Sequence, residues 1–365
     1  MYSEPFMGGQ GIIHRYGPWL NIDRSHPVSL GEGNTPLIAA PKLAAWIGGG
    51  AELHIKYEGL NPTGSFKDRG MTTAISQAVT EGAKAVTCAS TGNTSASAAA
   101  YAARAGLKCF VLIPDGKIAM GKLAGSIAYG AQVIAIQGSF DDGLRLVREI
   151  AETEPIALVN SVNPARLEGQ KTAAWEVCEQ LGGMPDWLAL PVGNAGNITA
   201  YWMGFTACGD HACPFTCGHR TKRPRLLGAQ AAGAAPIVTR KRVDHPETKA
   251  TAIRIGNPAR WEQALTALKE SNGHILAVTD DEIFDAYRAV ARLEGVFCEP
   301  SSAAGLAGLR KAVLAGEVNL EGQRVVAVLT GHGLKDPDSA LAGSGKILAI
   351  PATRDDVLQT IKVNG

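Results

Sequence analysis

Gly64-Ser65-Phe66-Lys67-Asp68-Arg69-Gly70 sets a lysine among small residues where a loop is expected to enter a helix. A helix N-terminus carries partial positive charge, which disfavours an added ammonium and lowers a lysine pKa. An amine tuned in this way can form a Schiff base with a carbonyl group. On its own the stretch reads better as a surface lysine in a first helical turn. Its meaning depends on which other loops the fold brings to it.

Those loops follow from the pattern of elements. Short apolar runs rich in β-branched residues alternate with alanine-rich stretches. Strands are expected at residues 85–89, 108–113, 132–136 and 156–159, with helices at 94–104, 118–129 and 142–153 between them. This βαβαβαβ order predicts a parallel sheet with helices on both faces. The pattern resumes with strands at 187–192, 225–230, 274–278 and 324–329 and a helix from Ile198. Thr279 and Glu282 form a capping-box signature for a helix running to Glu294. Two α/β units are expected, residues 58–160 being a smaller unit inserted between 1–57 and 161–365. The basic, proline-bearing stretch 220–245 reads as a solvated connection around one buried strand.

Ligands of open α/β sheets bind at the carboxyl ends of strands, and four loops stand at such ends. Ser90-Thr91-Gly92-Asn93-Thr94-Ser95 offers hydroxyls, an amide and a helix N-terminus, more than a helix cap requires. Gly193-Asn194-Ala195-Gly196-Asn197 is a turn of small residues with exposed N–H groups. It lacks the Walker lysine and the full dinucleotide spacing, so it suits one phosphate monoester. Asn160-Ser161-Val162-Asn163-Pro164-Ala165-Arg166 adds an arginine, the preferred partner of phosphates and carboxylates, although alone the segment reads rather as a solvated turn. Thr330-Gly331-His332-Gly333 follows the last strand; a lone histidine among glycines is more often structural, and His332 is not assigned a catalytic role.

The bulk numbers narrow the class. A chain of 365 residues, 45% hydrophobic and 19% charged with net charge +1, can bury a large core and suggests neither nucleic acid nor an anionic membrane as partner. No apolar run has the length of a membrane span, and the N-terminus lacks a signal-peptide pattern, so a cytoplasmic protein is expected. Seven cysteines, an odd number in a long chain, fit reduced thiols.

Lys67, a cradle for one phosphate, an asparagine-bearing loop and a terminal threonine loop resemble the fold type II pyridoxal-phosphate enzymes, and within them the threonine synthase family, short bacterial form. The matching motifs run through most of the chain: residues 31–37, 56–70, 90–95, 116–119, 160–166 with 169–172, 193–197, 252–258, 299–303 and 329–336. The resemblance implies a tryptophan synthase β-like fold, two open twisted sheets with the active site between domains, and a homodimer. It implies a carbon-oxygen lyase acting on O-phospho-L-homoserine and water to give L-threonine and phosphate. Lys67 would carry pyridoxal phosphate and shuttle protons. Asn93 would meet the ring hydroxyl, Gly193, Asn194, Ala195, Gly196 and Asn197 the cofactor phosphate, and Thr330 the pyridine nitrogen. Thr91 and Thr94 would help bind substrate, with Asn160, Ser161, Arg166 and Asn194 gripping its phosphate.

One segment departs from the family pattern. Cys208-Gly209-Asp210-His211-Ala212-Cys213-Pro214-Phe215-Thr216-Cys217-Gly218-His219 is longer than expected and rich in zinc-type ligands. It lacks paired C-x₂-C spacing, so a variable surface loop is expected and no metal ligand is assigned. The nearest rival function is a threonine or serine dehydratase-like lyase sharing cofactor and fold. Ser161 and Arg166 argue against it, because a dehydratase substrate carries no phosphate.

Overall fold

Two parallel-stranded sheets arise from the alternating runs. In the computed structural model, residues 10–116, 120–138, 140–209, 213–214, 222–342 and 348–361 are described. The smaller sheet comprises β3 (Ala85–Ala89), β4 (Lys108–Pro114), β5 (Gln132–Ile136) and β6 (Ile156–Leu158), in the order β5-β4-β3-β6. All its pairings are parallel. Central β3 is buried at every residue, which is why it reads as a continuous apolar run without alternation. The Asn93–Ala105 helix packs on it through Ala98, Ala99, Ala102 and Tyr101, and its alanines allow close approach.

The larger sheet holds β1 (Leu37–Ala39), β2 (Glu52–Tyr57), β7 (Trp187–Pro191), β8 (Arg225–Ala231), β9 (His274–Val278) and β10 (Arg324–Leu329). Its order is β1-β2-β10-β7-β8-β9. Only the β1–β2 pairing is antiparallel. Strand β2 precedes the smaller sheet in sequence and β7 follows it, while β10 returns to lie between them. Separate apolar clusters cover the two faces of the larger sheet, one around Ile55, Ala189 and Leu309 and the other around Trp175, Leu188 and Phe205.

Element edges differ from the sequence reading in small ways. The helix expected from residue 94 begins at Asn93, and the one expected from 198 runs Gly196–Gly209. Of the helix expected at 118–129, Met120–Ala128 is described and residues 117–119 lie outside the described residues. The capping box is present: Thr279 N donates to Glu282 Oε2 at 2.7 Å, and Glu282 N to Thr279 Oγ1 at 3.2 Å. The connection expected to be solvated is partly packed. Pro236 and Ile237 are buried, and the Ile237 N–H donates to Gln230 Oε1 at 2.9 Å. A buried glutamine side chain, seven residues earlier in the chain, satisfies the backbone there.

A buried ionic knot fixes the elements beneath the cleft. Arg69 donates to both Glu58 oxygens, from Nε at 2.7 Å and Nη2 at 2.8 Å. It also donates to both Glu176 oxygens, from Nη1 at 2.8 Å and Nη2 at 2.6 Å. Lys56 Nζ adds a 2.8 Å contact to Glu176 Oε2. Burial alone would raise both carboxyls, but Arg69, reinforced by Lys56, holds them below their usual range. The knot joins β2, the turn after it, the Lys67–Thr80 helix and the Pro164–Leu181 helix. Glu176→Gln leaves two buried cations facing one carboxylate. Losing one member of such a group costs about 3–5 kcal/mol, so urea unfolding should show a loss of that order; a change below about 1 kcal/mol would mean the knot does not hold these elements.

Candidate active site

Carboxyl ends of strands from both sheets open into one cleft of about 1320 Å³. Lys67 opens the Lys67–Thr80 helix, and its side chain lines this cleft. Its amine stands 4.4 Å from the Phe66 ring centroid. Its pKa is lowered to about 7, first by burial and then by the Arg166 charge, with Glu299 opposing them. The sequence argument rested on the helix dipole; enclosure is the larger cause here, reinforced by a cation from the Pro164–Leu181 helix.

Asp68, which the sequence reading gave no role, fixes the approach to this lysine. Its carboxylate accepts from Thr63 N at 2.6 Å, Thr63 Oγ1 at 2.5 Å and Ser97 Oγ at 2.6 Å. The loop before Lys67 is thereby tied to the Asn93–Ala105 helix. Burial pushes the Asp68 carboxyl up to about 6 despite these donors. Thr63 lies five residues before Asp68, so that contact was within reach of local reasoning; Ser97 was not.

Ser90, Thr91, Asn93 and Thr94 all line the cleft beside Lys67. Across from them, β7 ends and the Gly193–Asn197 turn leads into its helix. Ala195 adopts φ 62°, a left-handed conformation that costs a non-glycine residue energy and concentrates at ligand sites. The Asn197 Nδ2 group is buried and has no hydrogen-bond partner among the described residues, and an unsatisfied donor at a helix start suits an anion. Thr330 is buried, its Oγ1 3.0 Å from Ser302 Oγ, and its neighbour Gly331 donates from N to the same Ser302 oxygen at 2.9 Å.

Arg166 is the most informative member of the Asn160–Arg166 segment. It is fully buried, and its Nη1 donates to Val159 O at 2.8 Å. Nε and Nη2 take no hydrogen-bond partner among the described residues. Burial lowers its pKa to about 10, against small opposing contributions from Cys88 and Asp68. Gly70 makes room for this guanidinium: a Cβ there would stand 2.7 Å from Arg166 Nε. Two buried donors without an acceptor are costly unless an anion completes them.

The other expected phosphate ligands are more engaged. Asn160 lines the cleft, but its amide pairs twice with Ala89, accepting from N and donating to O, each at 2.9 Å. Its observed work is to anchor the end of β3. Asn194 Oδ1 accepts from Ala259 N at 3.4 Å, and Ser161 O accepts from Arg260 Nε at 3.4 Å. Arg260 also donates from Nη2 to Val162 O at 2.6 Å, a brace that sequence gave no means of finding. His332 Nδ1 accepts from Leu334 N at 3.1 Å, and its ring lies between Tyr57 and Phe297, in keeping with a structural role. Of the Cys/His-rich segment, residues 210–212 and 215–219 lie outside the described residues. Among the described residues no cluster of His, Cys, Asp and Glu could hold a metal ion.

Comparison with known proteins places this geometry. Residues 28–331 match the family described as pyridoxal-phosphate dependent enzyme. A threonine synthase of Synechocystis sp. is 59% identical over 338 residues, 92% of this chain and 86% of that protein. One from Bacillus sp. (strain ULM1) is 55% identical over 351 residues, 96% of each chain. Among solved structures, maize serine racemase superposes with TM-score 0.71 at 21% identity, over 85% of this chain and 91% of that one. Cysteine synthase from Entamoeba histolytica gives TM-score 0.72 at 20% identity, over 87% and 90%. The two structures establish the fold, that of the fold type II enzymes.

Proposed function

The chain belongs to the pyridoxal-phosphate-dependent enzymes and, within them, to the threonine synthases; from that premise we propose that it converts O-phospho-L-homoserine and water to L-threonine and phosphate. Arg166 carries the reading at the level of residues. The Gly193–Asn197 turn accounts for one phosphate, that of the cofactor. A second cation with two unfilled donors, Arg166, buried and not among the residues that line the cleft but lowering the Lys67 pKa, would account for another. A substrate without a phosphate would leave those donors empty.

The residues fit the cofactor. Lys67 would hold it, Asn93 would face its ring hydroxyl, Gly193 to Asn197 would take its phosphate, and Thr330 would meet its pyridine nitrogen. The unpartnered Asn197 Nδ2 and the strained Ala195 support the phosphate assignment. When bound, pyridoxal phosphate supplies an electron sink that acidifies the C–H beside the substrate nitrogen. Thr330, paired with Ser302, offers the ring nitrogen a hydroxyl and no negative charge.

The chain's own groups then divide the remaining work. Lys67, with a pKa near neutrality, can take a proton from substrate Cα and return it. Over the whole reaction Cβ exchanges a hydrogen for a hydroxyl, and Cγ exchanges its phosphate for a hydrogen. Arg166, helped by Ser161, Asn194 and the one Asn160 amide hydrogen not bonded to Ala89, would hold the phosphate and stabilise charge as it leaves. Thr91 and Thr94, on the facing loop, would orient the rest of the substrate. Within this reading residues 58–160 form a smaller domain and 1–57 with 161–365 a larger one, the cleft lying between.

A cytoplasmic homodimer completes the proposal. The six described cysteines are buried, and Cys88, Cys109 and Cys298 are free thiols, in keeping with a reducing compartment. No described helix is long and apolar enough to cross a membrane. Leu341, Leu348, Ile350 and Ile361 near the C-terminus are exposed on the single chain, which gives a second copy something to cover.

The deciding assay offers the cofactor-loaded protein O-phospho-L-homoserine and O-phospho-L-serine separately. Threonine and phosphate in equal amounts from the first alone are expected; ammonia and a keto acid as the main products would establish the dehydratase-like reading instead. The low pKa of Lys67 gives a second expectation. The neutral amine is the form that captures a carbonyl, and lowering the pKa enlarges that form below pH 10. The rate at which cofactor-free protein takes up pyridoxal phosphate should therefore climb as pH rises through about 7 and level off above it. A rise continuing to pH 10 would show an ordinary, unshifted lysine.

A further inference from the structure

Glu299 has no part in the chemistry described so far, yet it is buried and lines the cleft. Asn93 Nδ2 donates to its Oε1 at 3.0 Å and to its Oε2 at 3.1 Å, across 206 residues of sequence. A carboxylate only accepts hydrogen bonds, so the amide nitrogen must turn towards Glu299 and Oδ1 away from it.

The root of Glu299 is fixed as firmly as its tip. Its N–H donates to Gly331 O at 3.0 Å, and its own carbonyl accepts from Ser302 N at 3.0 Å. Ser302 is in turn bonded to Gly331 N and adjoins Thr330 Oγ1. Gly331 leaves the space the carboxylate occupies, since a Cβ there would stand 2.5 Å from Glu299 Oε1. Asn93, by contrast, is the first residue of its helix, and among the described residues its amide nitrogen bonds to Glu299 alone.

We propose that Glu299 is a positioning residue that locks the Asn93 carboxamide in one orientation across the cleft and so sets how it meets the ring hydroxyl of the bound cofactor. This rests on the reading of Asn93 as the ligand of that hydroxyl. The proximity of Glu299 to Lys67, where its charge opposes that of Arg166, fits a carboxylate standing at the same edge of the site.

The test titrates cofactor-free protein with pyridoxal phosphate and records the dissociation constant and the position of the visible band. Melting temperatures are measured alongside. One lost positioning hydrogen bond is worth roughly a factor of 10 in affinity. Glu299→Ala should weaken binding by about that factor and shift the band, as should Asn93→Ala. Glu299→Gln, which keeps an acceptor, should stay within about threefold. Because both residues act through one contact, Asn93→Ala/Glu299→Ala should bind no more weakly than Asn93→Ala. Wild-type binding by Glu299→Ala, or a double variant showing the product of the two single losses, would overturn the proposal. Should Glu299→Ala not fold, Asn93→Asp sets two carboxylates against each other without disturbing the Glu299 turn. Its loss of affinity should be recovered by adding Glu299→Gln, and no recovery would also overturn the proposal. If the wild-type protein itself develops no visible band, the cofactor reading fails, and this inference falls with it.

Discussion

Lys67→Ala should end threonine formation and abolish the visible band of the bound cofactor while leaving the fold intact. The loss in kcat should reach at least about 10⁴-fold, the upper end of what one general base contributes, because this residue is also the proposed covalent anchor. The ionic knot under the cleft uses Arg69, Lys56, Glu58 and Glu176, and the loop before Lys67 is tied down by Asp68; neither uses the Lys67 amine. Its pKa, pushed down chiefly by burial, also says that the folded protein holds the protonated form at a cost. Between pH 7 and 10 the unfolded chain binds more protons at this position than the folded one, so stability from this residue rises with pH over that window. At pH 7 and below, alanine should therefore melt at or above the wild-type temperature. Lys67→Arg separates charge from nucleophilicity: it keeps a cation and should be as inactive as alanine. Threonine made by either variant, confirmed by mass, would remove Lys67 from its proposed role.

How far the sequence revealed this site depends on the range of each interaction. Strands such as β3 and β10 are unbroken apolar runs, and the loops at their carboxyl ends are rich in Gly, Ser, Thr and Asn, so sheets and candidate loops could both be found locally. The structure brings Lys67, residues 90–94, the 193–197 turn and Thr330 into one cleft. Other features depend on partners far along the chain. Glu299 meets Asn93 from 206 residues away and would pass for a polar residue ahead of a turn. Asn160 reads as a phosphate ligand, yet its amide is matched to the Ala89 backbone, because the end of a buried strand needs its N–H and C=O satisfied. The sequence points to a low Lys67 pKa through its place at a helix start, whereas its leading cause is enclosure by residues from several elements, which no local window contains.

Arg166 offers the second large effect, because its two unfilled donors make opposite predictions with and without an anion. With substrate bound, removing a buried charged partner of a phosphate costs roughly 2–5 kcal/mol, so Arg166→Gln should lower kcat/KM for O-phospho-L-homoserine by about 10²–10³-fold. Without an anion the guanidinium holds one bond among the described residues, to Val159 O, and leaves Nε and Nη2 without a partner there. The variant relieves that burden, so the ligand-free protein should lose little stability. Inorganic phosphate should raise the melting temperature of wild-type cofactor-loaded protein through preferential binding to the folded state, and raise that of Arg166→Gln much less. A third readout ties Arg166 to Lys67. Its positive charge lowers the lysine pKa, so removing it must move the midpoint of cofactor capture by the cofactor-free protein to higher pH. Lower activity with an unmoved midpoint and full stabilisation by phosphate would place the substrate phosphate elsewhere. Loss of activity and of phosphate stabilisation, together with a raised midpoint, would identify Arg166 as the cation that grips the leaving phosphate and keeps Lys67 neutral enough to act.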